Sequence, residues 1–154
     1  MKLKLVIAFL LLTVVAVAEK HPDFSGSWQL NADKSKNLGM MSQMEMSLLV
    51  EQSPAALDVT THTIFQGQAS DNKTHYDLTG KPVQNELPMS GVNETVSKWK
   101  GDKLLTTWSG ESAVAGGPKV VRLETRSLSP DKKTMTVEST RGSSPAIVMV
   151  FEKK

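Results

Sequence analysis

From residue 24 onward, short runs in which apolar and polar residues alternate are separated by clusters of Gly, Pro, Asn, Asp and Ser. Alternation with a period of two is the mark of half-buried strands, and no window beyond the N-terminal segment holds a helical period. The pattern predicts strands over Phe24–Leu30, Met46–Gln52 and Ala56–Gln66, the last with Leu57, Val59 and Thr61 on one face. Between the first two, the polar stretch from Asn31 to Gly39 leaves room for a loop and a turn or two of helix. Ser70-Asp71-Asn72-Lys73 reads as a turn, followed by a strand over His75–Leu78, a Thr79-Gly80-Lys81-Pro82 turn and a short return to Leu87-Pro88.

The last third alternates more clearly. Val92–Trp99 and Leu104–Trp108 flank Lys100-Gly101-Asp102-Lys103, a tight hairpin turn. Lys119–Leu128 and Thr134–Thr140 flank Ser129-Pro130-Asp131-Lys132, with proline where a type I turn prefers it. A turn at Arg141–Pro145 leads into a last strand, Ala146–Glu152. Evenly spaced strands joined by hairpins make an antiparallel meander, and a meander of this length protects its edges best by closing. The expected fold is all-β: a single antiparallel up-and-down β-barrel of about eight to ten strands, with at most a short helical segment after the first.

The N-terminus has a different pattern. Lys2 and Lys4 precede an apolar run, Leu5 to Val17, that ends in Ala16-Val17-Ala18. A basic start, an apolar core and an A-x-A site describe an export signal cleaved after Ala18. As a helix the run spans only about 20 Å, short of the roughly 30 Å hydrocarbon layer, so it does not read as a membrane anchor. Residues 19–154 then form one domain, secreted or periplasmic, with no membrane span of its own. Losing Lys2 and Lys4 leaves sixteen basic and sixteen acidic residues. A neutral domain offers no electrostatic footprint for nucleic acid. The chain has no cysteine, so it carries neither disulfides nor a lipid-modified terminus and rests on an ordinary core.

Phe24-x-Gly26-x-Trp28 resembles the first-strand signature of the calycin group, which comprises lipocalins and fatty-acid-binding proteins. Lys98-Trp99-Lys100-Gly101, the strands Val120–Leu128 and Met135–Glu138, and the closing Val150-Phe151-Glu152-Lys153 look like the last four strands of a fatty-acid-binding protein. The chain also resembles small exported lipocalin-like domains of soil bacteria such as acidobacteria. The resemblance implies a barrel that holds a ligand inside. It also implies a helix-turn-helix lid, for which Ala32 to about Gln43 is too short. An Arg-x-Tyr pair on the last strand holds the ligand carboxylate in fatty-acid-binding proteins; the matching positions here are Met149 and Phe151, which offer neither charge nor hydroxyl. The family's arginine on the strand before the Ser-Pro-Asp turn has its counterpart in Arg126.

Candidate chemistry is sparse. Arg122 and Arg126 alternate with Val121, Leu123 and Thr125, and only one parity can face the core. Either the arginines and Glu124 face solvent while Val121 and Leu123 fill the interior, or Arg126 turns inward to hold an acidic ligand, which an arginine taken out of water requires. Trp28 is expected to close one end of the barrel, its indole N–H on backbone and an arginine over its face. Trp99 reads as a rim or core residue beside its turn. Trp108, before the Ser109–Pro118 loop, is placed at the mouth. Met40, Met41, Met44 and Met46 are half of the eight methionines; they suit an adaptable apolar portal, or a Cu(I) site with His62 or His75. The Ser70–Lys73 turn keeps His62 and His75 from facing one another, and His21 lies in the N-terminal tail. No catalytic motif is present.

The sequence therefore reads as an exported binding protein for a small, mainly apolar or amphipathic molecule, without cofactor and not as an enzyme. Arg126, Arg122, Tyr76, Trp108, Met40 and Met44 are the candidate contacts, and Phe24, Gly26 and Trp28 the structural signature. The competing reading is a barrel filled by side chains that serves as an envelope interaction or stress module.

Overall fold

The computed structural model describes residues 21–87, 91–112 and 116–154. The leader, its cleavage site and Pro88 lie outside them. Ten antiparallel strands form one continuous sheet: β1 Gly26–Leu30, β2 Glu45–Gln52, β3 Ala56–Phe65, β4 Gln68–Asp77, β5 Val83–Leu87, β6 Gly91–Lys100, β7 Lys103–Gly110, β8 Val120–Leu128, β9 Thr134–Thr140 and β10 Ile147–Lys153. The order β4-β3-β2-β1-β10-β9-β8-β7-β6-β5 is an up-and-down meander whose first and last strands pair. The helical content expected after β1 is a 3-10 turn over Gly39–Gln43.

β4 and β5 stand at the two ends of this order, and a side chain joins them. The buried Asn85 amide accepts from the His75 backbone N–H (2.9 Å) and donates to the His75 carbonyl (2.8 Å) and Thr95 Oγ1 (2.9 Å). One amide thus replaces both partners of a backbone ladder, satisfying groups that would otherwise be orphaned at a sheet edge.

The first-strand signature is a self-contained unit. Trp28 is fully buried, and its indole Nε1 donates back to the Phe24 carbonyl at 2.9 Å. Lys153, paired with Trp28 across β1 and β10, lies over the ring at 5.3 Å; the cation is this lysine and not the expected arginine. Gly26, at φ 132°, sits between: a Cβ there would come within 2.9 Å of Lys153 Cε. Phe24 is itself fully buried and stacks on Trp99, whose ring also stacks with His21 at 4.3 Å. His21 is therefore docked on the barrel, with Nδ1 3.3 Å from the Gly101 carbonyl, where a free tail was expected.

The core lies toward this closed end. Leu48, Val50, Leu57, Val59, Leu104, Met135, Val137 and Phe151 pack with Trp28 and Phe24. Phe151 faces Met135 across β9 and β10, so the position matching the family's tyrosine serves as core.

Most strands match the pattern to within one or two residues, but β4 does not. The hairpin turn is Gln66-Gly67, with φ of 51° and 76°. A left-handed conformation at both central positions is the two-residue turn that matches the twist of a hairpin, and glycine adopts it without strain. Ser70-Asp71-Asn72-Lys73 is therefore mid-strand. On the outer face His62 pairs with Asp71 (2.6 Å) and His75 with Asp58 (2.7 Å), each histidine facing an aspartate across the hairpin.

Candidate functional site

β8 carries the site, and its neighbour β9 decides which way β8 faces. The β8–β9 hairpin places Leu128 opposite Met135 and Arg126 opposite Val137. Met135 and Val137 are core residues, so Leu128, Arg126, Glu124 and Arg122 all point inward. Val121 and Leu123 are correspondingly 47% and 54% exposed. Of the two parities, the arginine-out arrangement is the one that fails.

Register then builds transverse rows across the inner wall. Trp99, Leu104, Arg126, Val137 and Met149 form one toward the closed end. Above it, Ser97, Thr106, Glu124 and Ser139 form a buried polar belt, in which the Ser97 and Thr106 hydroxyls bond at 2.8 Å. Thr95, Trp108 and Arg122 form the next. The wall on β1, β2 and β10, continued by Met135 and Val137 of β9, is apolar. The interior is thus two-sided, with polar groups on β4 to β8 facing hydrocarbon.

Four of the six candidate contacts come together at this level. Arg126 Nη2 donates to Glu124 Oε1 at 3.2 Å and lies 3.4 Å from the Tyr76 hydroxyl, its guanidinium over the Tyr76 ring. Tyr76 meets Trp108 edge-on at 5.7 Å, and Arg122 lies over Trp108 at 4.5 Å. An arginine and a tyrosine are thus paired across the barrel, from β8 and β4, although the last strand lacks that pair. Trp108 is buried inside rather than placed at the mouth. Met40 is 69% exposed on the 3-10 turn and Met44 half-buried beside it, while Met46 packs against the core. Three of the four methionines thus lie outside the packed interior.

The electrostatics follow from burial. Burial pushes the Tyr76 phenol well above its ordinary range, and the Glu124 carboxylate pushes it further, so Tyr76 is a neutral hydroxyl at physiological pH. Burial opposes the charge on Arg126, but the Glu124 carboxylate, with the Tyr76 oxygen as a further hydrogen-bond acceptor, outweighs burial and holds the guanidinium protonated. Two donors in this cluster are unused: Trp108 Nε1 and Arg126 Nη1 are buried and have no hydrogen-bond partner. An unpaired buried donor costs about 1–3 kcal/mol, so both atoms favour an acceptor brought in from outside. Access comes from the end opposite the core. There the inward positions Thr61, Thr63, Asn72 and Arg122 are half-buried, so they stay within reach of solvent, unlike the packed core.

Glu124 and Asn85 are site and seam residues that the alternation of hydrophobic positions did not single out. Glu124 was legible by the same route as Arg126, by counting pairs back from the Ser129–Lys132 turn to the apolar parity of β9. Asn85 carried no signal, since nothing in a polar strand distinguishes an amide that bonds a neighbouring backbone.

No family model and no curated protein sequence matches the chain. Solved structures do. Apo lipid binding protein 8 of Caenorhabditis elegans superposes with a TM-score of 0.66 at 13% identity, over 85% of this chain and 95% of that one. The REP1-NXSQ fatty acid transporter gives 0.63 at 13% identity, over 86% and 96%. Fatty-acid-binding protein 1 of Echinococcus granulosus gives 0.61 at 13% identity, over 84% and 96%. At these identities the likeness speaks for the backbone alone: the chain is a ten-stranded antiparallel barrel of calycin-like fold.

Proposed function

We propose that this chain is an exported binding protein that holds one small, mainly apolar molecule in the open half of its barrel, the molecule's polar end resting on Tyr76, Trp108, Arg122 and Arg126. The observation that carries this reading is the pair of buried, unpartnered donors, Trp108 Nε1 and Arg126 Nη1, set in a wall that faces hydrocarbon. The fold neighbours support the apolar part of the cargo, being a lipid-binding protein, a fatty acid transporter and a fatty-acid-binding protein. Glu124 already balances Arg126, whereas Arg122 is half-buried against Trp108 and nearer the open end. An anionic group on the cargo is therefore held at Arg122, and Arg126 serves a neutral acceptor. The leader ending in Ala18 supports export.

Two dyes test the reading. Neutral phenylnaphthylamine and anionic anilinonaphthalene sulfonate both bind, with fluorescence enhancement displaceable by long-chain lipids. Arg122→Gln weakens the anionic dye about tenfold, the loss of one charge-assisted contact, and leaves the neutral dye within about twofold. Native mass spectrometry of protein purified from its host shows a bound small molecule. A protein that is always ligand-free and enhances neither dye is a filled barrel, and the carrier reading is lost.

A further inference from the structure

Arg126 and Trp108 bring their unused donors to one place inside the barrel. Nη1 of Arg126 and Nε1 of Trp108 have no hydrogen-bond partner, and the two residues are only 4% and 3% exposed. Both border the same phenol ring. The Arg126 guanidinium carbon lies 5.2 Å from the Tyr76 ring centre, and the Trp108 ring meets that ring edge-on at 5.7 Å. The Tyr76 hydroxyl accepts from Arg126 Nη2 at 3.4 Å and so keeps its own proton to give. What this cluster lacks is an acceptor, since the Glu124 carboxylate beside it is already engaged with Nη2 at 3.2 Å. The chemistry of the cluster also says which acceptor fits. A carboxylate placed at Arg126 would set a second negative charge beside Glu124 in a buried site, where two like charges that close do not both stay ionised. A hydroxyl would add one more donor. A carbonyl oxygen has two lone pairs and no proton, so it takes both unused donors at once.

We propose that the cargo is a chain amphiphile with two oxygen functions: an anionic head at Arg122, and an uncharged ketone or ester carbonyl set several bonds down the chain at Trp108 and Arg126. The inference rests on the cargo reading above and names the chemical class within it. The spacing follows from β8. Arg122 and Arg126 are four residues apart on one inward face, about 13 Å of strand. Arg122 is half-buried and lies over Trp108 at 4.5 Å, so the head keeps contact with water while the carbonyl is taken out of it. A plain fatty acid satisfies Arg122 and leaves both buried donors unpaired. The site therefore discriminates through the cost of those orphaned donors, which is how a buried polar site rejects an analogue lacking one group.

The test is displacement of phenylnaphthylamine from the wild-type protein by stearate, by stearate with a mid-chain oxo group, by the isomer with the oxo group next to the carboxylate, and by mid-chain hydroxystearate. The mid-chain oxo acid is expected to bind about thirtyfold more tightly than stearate, the gain from two buried donors finding an acceptor, and the other two to fall well short of it. Isotope-edited infrared spectroscopy of the labelled ketone then shows its stretch shifted to lower frequency than in hydrocarbon solvent. Trp108→Phe, which keeps a ring beneath Arg122 but removes the donor, lowers the preference about fivefold, whereas Arg122→Gln weakens the oxo acid and stearate alike. Equal displacement by stearate and the mid-chain oxo acid, a hydroxyl analogue that matches the ketone, or an unshifted carbonyl band overturns this inference and leaves the cargo reading standing. A protein that binds neither the dye nor any of the acids overturns both.

Discussion

Arg126 and Glu124 share the inner face of β8, with 4% and 7% of their surfaces exposed, and each makes the burial of the other tolerable. Breaking a buried pair by removing one charge is expensive, commonly about 3–5 kcal/mol, whereas replacing both by apolar residues is often near neutral. Glu124→Gln is therefore expected to lower stability by about that amount in urea unfolding, and Glu124→Leu with Arg126→Met to recover most of it. A wild-type midpoint for Glu124→Gln would mean the pair is not coupled. The same residues show how far a sequence can be read at this scale. Along β8 alone, Val121 and Leu123 are as good an inward set as Arg122 and Arg126, because alternation defines two faces without naming them. The choice is made by Val137 opposite Arg126, which is a property of the hairpin. Phe24, Gly26 and Trp28 were legible directly because the bond that ties them together, from Trp28 Nε1 to the Phe24 carbonyl, spans four residues, while Trp99 and Lys153 complete the unit from elsewhere in the chain.

At the scale of elements, hairpins with a strong turn signal come out where the residues place them. Gly101 supplies a left-handed φ of 60° between β6 and β7, and Asp131 accepts from the Ser129 hydroxyl (2.6 Å) and the Lys133 N–H (3.0 Å) between β8 and β9. β4 is the exception. Its Ser70–Lys73 segment has turn composition, but pairing with β3 and the cross-strand His62–Asp71 bond outweigh that preference. The β4–β5 seam depends on the Asn85 side chain, so Asn85→Ala leaves the His75 N–H and carbonyl without partners. The expected cost is about 1–3 kcal/mol, with amide exchange at His75 accelerated well beyond that of its neighbours in β3. Exchange that stays as slow as in the wild type would show that the seam closes by other means.

At the scale of the whole molecule, acid stability follows from four carboxylates. Hydrogen bonds from Ser25 to Asp23, from Thr79 to Asp77 and from Ser129 to Asp131 hold these groups below their ordinary range, and Lys34 does the same for Glu152. A carboxylate depressed in the folded state stabilises it above the unfolded value, and that contribution is lost as pH falls through the folded value. Lys34 is raised by the same Glu152 contact; its contribution is present below its ordinary value and is lost only as strongly alkaline pH exceeds the raised one. Melting temperature is therefore expected to stay level across neutral pH and to fall below about pH 4, where unfolded carboxylates begin to protonate. A transition unchanged down to pH 2 would show that these turns contribute nothing.

The sequence by itself determined the class of this protein: strands by alternation, hairpins by turn residues, a meander by their spacing, and a barrel with one sealed end by Phe24-x-Gly26-x-Trp28. These are local properties, carried by residues near one another in the chain. Tertiary structure alone decided the inward turn of β8, the pairing of Arg126 with Tyr76 across the barrel, the Asn85 seam and the docking of His21 on Trp99. Each of these joins residues from strands that closure brings together, and a linear pattern holds no record of which faces will meet. The binding wall is therefore a product of register, in which residues unremarkable along their own strands become a site when the sheet curls and sets them side by side.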